Sequence, residues 1–201
     1  MALDPNALVD LATAKGFVIV TGDASNGAIE AAINAATLTV EDYCNRWFKE
    51  RTVTAERVEG PCAVHLWLRA VPLKASAAVT VTVDAVAQTV WKQEADGLPS
   101  AFDVIARQDH LYRRAGWAPG SGDPYNVLLT YTGGYAAAAI PAPVKQACLY
   151  VIQKLFRDSQ RQLAEVAQVN TPMGGISLID NAGLPRMARA LLDPFRLRVF
   201  A

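Results

Sequence analysis

The side chains best suited to metal binding or nucleophilic catalysis are three cysteines and two histidines, and their spacing fits neither role. Cys62 and His65 could supply two zinc ligands, but a structural zinc site needs four ligands at recognisable spacing. A catalytic Cys–His pair needs the two side chains close together, but residues three apart on a strand face opposite sides. The same spacing therefore argues against a Cys–His catalytic pair. We therefore predict no catalytic, metal-binding or cofactor-binding residue in this chain.

Other common catalytic patterns do not point to an enzyme either. Glu41 and Asp42 are adjacent in a predicted helix, so their carboxylates point in different directions, and we interpret them as a solvated face. The sequence contains no nucleophile-elbow, phosphate-loop or dinucleotide-binding glycine motif, and Gly133 with Gly134 is typical of a turn. The four tryptophans lack the interleaved basic residues of a base-stacking surface, so we expect them in a core or at a subunit interface.

The composition favours a folded, soluble protein with an apolar, partner-covered surface. A chain of 201 residues is typical of one domain, with or without an appendage, and 52% of its residues are hydrophobic. Lysine plus arginine equals aspartate plus glutamate at 19 each, which argues against tight binding of nucleic acid or of a membrane surface. Three widely spaced cysteines favour buried thiols in a reducing compartment, and no signal peptide or membrane span is predicted.

Helical periodicity occurs in the first quarter of the chain and again after residue 140. Apolar residues three or four apart, together with Pro or cap residues at their starts, predict helices at about 5–15, 26–48 and 142–168. A shorter helix is predicted at about 184–192, where Pro185 occupies a starting position.

Alternation of apolar and polar residues predicts strands between about residues 51 and 131. Val79, Val81 and Val83 alternate with threonines and an aspartate, and residues 64–69 alternate in the same way. We predict an α+β fold in which two long helices are packed with a mainly antiparallel β region.

The C-terminal segment is too apolar for an idle tail. Leu191, Leu192 and Phe195 are flanked by arginines that can make charge-assisted hydrogen bonds. This pattern favours a docking segment that binds a partner. The alternative is that the segment folds back onto its own domain.

The segment Asn126–Tyr135, followed by a helix starting after Pro141, resembles the head-tail connector (adaptor) proteins of tailed bacteriophages. In that family a strand reading Val-Thr-Tyr-Thr-Ala-Gly-Tyr leads through a proline into a long helix. Three other segments are similar to family patterns: Val40–Phe48, with an acidic residue, aromatics and an arginine; Leu111–Trp117; and Leu191–Arg196, which is close to Leu-Leu-x-Pro-Tyr-Arg.

The resemblance implies a structural virion protein at the head-tail junction, assembled in the host cytoplasm. It implies a ring of identical subunits, twelve in this family, that binds below the portal protein, extends the DNA channel and carries the stopper or tail. Genomic DNA would pass through without sequence-specific binding, and no cofactor or catalytic activity is implied.

The resemblance also implies a connector core at residues 1–169 and a C-terminal arm at 170–201 that docks against the portal. We expect the arm to gain order when it docks. The residues implied in docking are Arg186, Arg189, Leu191, Leu192, Pro194, Phe195 and Arg196.

Two other functions remain compatible with the sequence. One is another phage neck or tail-completion protein. The other is a cytoplasmic enzyme or ligand-binding domain whose pocket the sequence does not reveal, because a fold alone does not determine a function.

Overall fold

A computed structural model of the chain describes residues 2–59, 62–92, 103–117, 125–161, 168–171, 174–177 and 184–197. The chain divides into two compact units. The helical unit consists of Met1–Asn45 and Ile140–Leu197, and the β unit consists of Arg46–Ala139. Together they confirm the predicted α+β class with a mainly antiparallel β region.

Over the described residues the chain forms four α-helices and ten strands. The helices are α1 (Leu11–Val18), α2 (Asn26–Cys44), α3 (Ala142–Arg161) and α4 (Arg186–Leu192). The strands are β1 (Arg51–Val58), β2 (Ala63–Trp67), β3 (Thr80–Val83), β4 (Val86–Ala87), β5 (Val90–Lys92), β6 (Val104–Ala106), β7 (His110–Trp117), β8 (Val127–Gly133), β9 (Gln168–Thr171) and β10 (Gly174–Ser177). Short 3₁₀ helices span Ala137–Ala139 and Asp193–Phe195.

The core of the helical unit forms where α2 and α3 pack together. Both helices carry apolar side chains three or four residues apart, which places these side chains on one stripe of each helix. The buried stripe of α2 includes Ile29, Ile33, Ala36 and Val40, and that of α3 includes Val144, Ala147, Cys148, Val151 and Ile152.

The helix ends differ from the sequence predictions for local reasons. Helix α1 begins at Leu11, because Asp10 is its cap and accepts a hydrogen bond from the Thr13 amide at 2.8 Å. Asp4 instead accepts a hydrogen bond from the Asn6 amide in a turn. Helix α2 ends at Cys44 and not near residue 48, because Asn45 adopts the left-handed conformation that terminates helices.

The last predicted turns of α3 fall partly outside the described residues. The helix is described as far as Arg161, and residues 162–167 lie outside the described part of the chain. Residues 168–171 form β9, which pairs antiparallel with β10 in a two-stranded hairpin that the sequence patterns did not predict.

The β unit contains two four-stranded sheets. One has the order β1-β8-β3-β4 and is antiparallel throughout, and the other has the order β2-β7-β6-β5, with β5 and β6 parallel. The alternation predicted around residues 79–83 is confirmed, because Val81 and Val83 are buried while Thr80 is exposed. Strand β8 lies between β1 and β3 and buries Val127, Leu129 and Tyr131 on one face.

The two ends of the β unit are hydrogen-bonded to each other. The Tyr135 amide donates to the Phe48 carbonyl at 2.6 Å, and the Glu50 amide donates to the Tyr135 carbonyl at 2.9 Å. The predicted Gly133-Gly134 turn makes this approach possible, since Gly134 has a φ of +103° and both glycines lie against neighbouring backbone. The chain therefore leaves the helical unit and returns to it through adjoining segments.

Candidate docking surface

Helix α4 has one buried stripe and one exposed face. Ala188 and Leu192 are four residues apart and fully buried, so they lie on one side of the helix, and Leu184 just before the helix is also buried. This helix packs against α3 within the helical unit. Residues 184–197 are therefore packed within the helical unit.

The seven residues implied in docking are divided between these two sides. Leu192 is buried, and Leu191 and Phe195 are half-buried. The other four are exposed: Arg186, Arg189, Pro194 and Arg196.

The exposed face of α4 combines an apolar side chain with positive charge. Met187 is 63% exposed and lies in sequence between Arg186 and the buried Ala188. Over residues 184–197 there are three arginines and one aspartate, which gives a net charge of +2. We define the exposed α4 face as Arg186, Met187, Arg189 and Ala190. Arginines beside an apolar side chain are typical of protein-binding surfaces.

Tyr43 near the end of α2 holds the turn that follows α4. Its hydroxyl donates a hydrogen bond to the Asp193 carboxylate at 2.5 Å, and the Arg196 guanidinium lies over its ring, 5.4 Å from the ring centroid. The hydrogen bond to Asp193 is the main reason that the pKa of Tyr43 is raised above its usual value, with smaller contributions from burial and from the carboxylate charge. The two charged residues are therefore positioned by an aromatic ring from another helix.

The backbone after α4 is also fixed to the end of α2. The Leu197 amide donates to the Cys44 carbonyl at 2.9 Å, and the Cys44 thiol contacts the Leu192 carbonyl at 3.9 Å. The last carbonyls of a helix have no donor within the helix, so Leu197 satisfies one that would otherwise need a partner. These contacts keep the arginine-bearing face in one orientation within the helical unit.

The sequence did not point to three residues: Met187 on the exposed α4 face, and Tyr43 and Asp193, which fix the turn after α4. Tyr43 and Asp193 both lie in segments that resemble family patterns, but they are 150 residues apart in sequence. A single sequence carries no signal for such a long-range pair. Met187 could have been found from its position, since it follows Arg186 and is out of phase with the buried stripe.

The carboxylates of Glu41 and Asp42 point in different directions, as predicted, but the solvated-face interpretation is wrong for Glu41. Asp42 is exposed, whereas Glu41 is 3% exposed and lies on the same stripe of α2 as the buried Thr37. Burial is the main reason that the pKa of the neighbouring Cys148 thiol is raised to about 12. A hydrogen bond with Thr37 lowers this pKa, and the charge of Glu41 raises it further. Buried carboxylates and thiols of this kind belong to the core of the helical unit.

The two histidines come together with two other aromatic residues on the β2–β7 ladder. The rings of His65 and His110 are 4.8 Å apart, and Trp67 and Tyr112 lie beside them. His110 shares a hydrogen bond of 2.7 Å between its Nδ1 atom and the Asp109 carboxylate. Within the described ranges no three histidine, cysteine or acidic side chains are grouped as metal ligands.

Two of the tryptophans have different surroundings. Trp117 is fully buried and donates a hydrogen bond to the Val64 carbonyl at 3.1 Å, which confirms the expected core packing. Trp47 lies between two guanidinium groups, those of Arg51 at 4.9 Å and Arg69 at 4.8 Å from its ring centroid. This stacking occupies both arginines with a ring of the same unit.

None of the helices over the described residues is both long and apolar enough to cross a membrane. No family model matches the chain, and no curated protein sequence matches it.

Solved structures match the chain along its full length. It is similar to a chain from the neck of an empty gene transfer agent (GTA) particle computed with C6 symmetry, with 16% identity and a TM-score of 0.53. A chain from the virion of a native GTA particle matches with 17% identity and a TM-score of 0.53. A chain from the neck of a native GTA particle computed with C12 symmetry matches with 16% identity and a TM-score of 0.52. Each match covers 100% of this chain and 95% of the other. The protein therefore has the fold of chains found in the necks and virions of gene transfer agent particles.

Proposed function

We propose that this chain is a structural neck protein of a virion or virus-like particle, acting as a head-tail connector (adaptor). In this role it forms a ring of identical subunits, twelve as in the connector family, below the portal protein. The ring extends the DNA channel and provides the surface to which a stopper or tail attaches. It has no catalytic function and binds the passing DNA without sequence specificity.

The observation that carries this proposal is the fold match to neck chains, which covers both units of the chain. Two of the matched necks were computed with C6 and C12 symmetry, which is compatible with a twelve-subunit ring. The strand, Gly-Gly turn and Pro-started helix support the connector role independently, since β8, Gly133, Gly134 and α3 form this unit here. The equal numbers of acidic and basic residues suit a channel through which DNA slides.

We assign portal docking to the exposed α4 face together with Arg196. The arginines can make bidentate, charge-assisted hydrogen bonds to carboxylates of a partner, and Met187 adds apolar area. Docking in this form uses the face that α4 presents while packed in the helical unit, and it does not require α4 to leave that unit.

The oligomeric state and portal binding test the proposal together. Negative-stain images of the purified protein, alone and mixed with portal protein, should show closed rings, with those in the mixture attached to the portal. Monomers that bind a small molecule and never associate with portal or particles would contradict the proposal. Binding to tails without binding to portal would instead indicate another neck or tail-completion protein.

The docking face is tested by charge reversal rather than by deletion, because removing α4 would also uncover the core that Leu184 and Leu192 cover. Arg186→Glu combined with Arg189→Glu should lower portal affinity at least tenfold and leave the melting temperature unchanged. The matched control is Arg157→Glu, the same change at an exposed arginine of α3. Equal portal affinity in the double variant and the control would contradict the assignment of this face.

A further inference from the structure

One face of the β2–β7 ladder brings together the two histidines of the chain. The strand register pairs His65 with Tyr112 and Trp67 with His110, so all four rings lie on the same face of the two strands. His65 and His110 are diagonal neighbours on that face, a relation in which long or aromatic side chains reach each other. Their ring centroids are 4.8 Å apart. The fold therefore creates a pair of imidazoles from residues that are distant in sequence.

Each of these two rings has a buried nitrogen without a hydrogen-bond partner among the described residues. The atoms are Nδ1 of His65 and Nε2 of His110. Most buried polar atoms in native proteins are hydrogen-bonded, so an unpaired one calls for an explanation such as a bound ion or water. His110 is only 8% exposed, so bulk water does not satisfy its nitrogen. Two unpaired imidazole nitrogens side by side point to a ligand that both can bind.

The other nitrogen of His110 has the partner that metal-binding histidines usually have. Its Nδ1 atom shares a hydrogen bond of 2.7 Å with the half-exposed Asp109 carboxylate. A histidine that binds a metal ion through one nitrogen commonly donates the N–H of the other nitrogen to a carboxylate. This second bond fixes the ring orientation and makes the ligating nitrogen more basic. Asp109 therefore favours the tautomer in which Nε2 of His110 carries a lone pair.

The distance between the two rings fits one ion held by both imidazoles. With metal–nitrogen bonds of about 2.0–2.1 Å and an angle at the metal of roughly 90–109°, two imidazoles on one ion have ring centroids about 4.5–5.2 Å apart. The observed separation is 4.8 Å, and the ring planes are inclined to each other by 74°. The pair therefore has the spacing of a two-histidine metal site.

We propose that Nδ1 of His65 and Nε2 of His110 bind one divalent transition-metal ion, such as Zn²⁺, Ni²⁺ or Cu²⁺, and that Asp109 positions His110. Imidazole is a preferred ligand of these ions, whereas Mg²⁺ and Ca²⁺ prefer oxygen ligands. No third ligand is grouped with the two histidines within the described ranges, so the remaining coordination positions are left to water. The sequence prediction of no metal-binding residue considered His65 only together with Cys62. This inference goes beyond the proposed connector role, and neither depends on the other.

Calorimetric titration of zinc chloride into the untagged, metal-stripped protein tests the site. One Zn²⁺ should bind per chain, and Mg²⁺ should not bind. His65→Gln and His110→Gln should each weaken Zn²⁺ binding at least tenfold, and Asp109→Ala should weaken it about tenfold through the lost support of His110. The matched control is Asp42→Ala, the same change at an exposed aspartate of α2, which should leave the affinity unchanged. Absence of Zn²⁺ binding, or equal affinity in the histidine variants and the unaltered protein, would overturn the inference.

Cys62 is the main competing ligand, because its thiol is exposed. In the proposed site, Cys62→Ser leaves the Zn²⁺ affinity unchanged. X-ray absorption of the zinc-loaded protein should show nitrogen or oxygen neighbours at about 2.0–2.1 Å and no sulfur neighbour at about 2.3 Å. A sulfur neighbour, or loss of binding in Cys62→Ser, would mean that Zn²⁺ is bound at Cys62 and would reject the two-histidine site. If His110→Gln does not fold, His65→Gln and the absorption spectrum still decide the question.

Discussion

At the scale of single residues, Tyr43 is the side chain that joins α2 to the turn after α4. We expect Tyr43→Phe to lower the free energy of unfolding by about 1 kcal/mol, the usual net contribution of one hydrogen bond. Chemical denaturation of the two proteins measures this difference. Tyr150→Phe is the control, because its ring packs on Phe17 and its hydroxyl makes no hydrogen bond to any residue in the described part of the chain. Equal losses in both variants would contradict the role of the Asp193 bond.

The same bond gives a defined pH dependence. The pKa of Tyr43 in the folded protein lies above the ordinary value of 10.0, so the folded state favours the neutral hydroxyl. Its contribution to stability is therefore complete below about pH 10 and is lost as the pH rises through the folded pKa. The stability difference between the unaltered protein and Tyr43→Phe should be constant from pH 7 to pH 9 and shrink above that range. A difference that grew with rising pH would contradict this sign.

The three cysteines differ in reactivity for a physical reason. Cys62 is exposed, Cys44 and Cys148 are buried, and burial raises the pKa of Cys148 to about 12. Since the thiolate is the reactive form, we expect one thiol per folded chain to react with a maleimide at pH 7 and three after unfolding. Mass spectrometry counts the adducts, and Cys62→Ser should reduce the folded count to zero. Rapid labelling of Cys148 in the folded chain would contradict the packing of α2 on α3.

At the scale of elements, the turn after β8 depends on the absence of side chains. A Cβ atom at Gly133 would lie 1.9 Å from the Ala70 carbonyl oxygen, which is far too close for any rearrangement of a side chain to relieve. We expect Gly133→Ala to destabilise the protein by at least about 2 kcal/mol in thermal or chemical unfolding. The control is Gly16→Ala in α1, where nothing lies within 4 Å and where alanine should stabilise the helix. Equal stability of the two variants would contradict the close approach.

We expect the two sides of α4 to differ, one contributing to stability and the other to the proposed portal binding. Leu192→Ala removes a fully buried side chain and should cost about 2–5 kcal/mol of unfolding free energy. Met187→Ala, on the exposed side, should change stability by less than about 0.5 kcal/mol and weaken portal binding. Unfolding curves and a portal-binding assay together measure both effects. A stable Leu192→Ala variant would mean that α4 does not complete the core of the helical unit.

Local patterns predicted the elements whose structure is decided locally. Strand β8 and the start of α3 follow from the β-branched run, the Gly-Gly turn and Pro141. Strand β7 was expected from the resemblance of Leu111–Trp117 to a family pattern. The end of α2 was overestimated, because Trp47 continues the helical spacing of Tyr43 although the chain has already turned at Asn45. Trp47 instead forms a β-bridge with Ala70 in the β unit. Such a long-range pairing cannot be predicted from the spacing of apolar residues.

The candidate docking surface was predicted only in part. The arginines followed from composition, since charged residues beside an apolar run are visible in one sequence. The division of the segment into a buried stripe and an exposed face depends on α3, and the hydrogen bond between Tyr43 and Asp193 depends on a pairing of distant segments. The β9–β10 hairpin was missed because its strands are four residues long and follow a helical pattern.

At the scale of the whole molecule, the β unit is an insertion between two parts of the helical unit. Its core and both of its sheets lie within residues 46–139, and its ends are joined by hydrogen bonds of Tyr135. We expect residues 46–139, expressed alone, to fold with dispersed amide signals in NMR and cooperative thermal unfolding. The control fragment 46–117 lacks β8, the partner of both β1 and β3, and should be unfolded. Random-coil signals from the longer fragment would contradict its independence.

The adjoining ends of the β unit have a consequence for diversification. Because the segments around Phe48 and Tyr135 meet side by side, the chain enters and leaves residues 46–139 at adjacent positions. Sequence changes beyond those positions, including loops that lengthen or sheets that gain strands, leave the spacing between α2 and α3 untouched. The helical scaffold can thus carry insertions of different size.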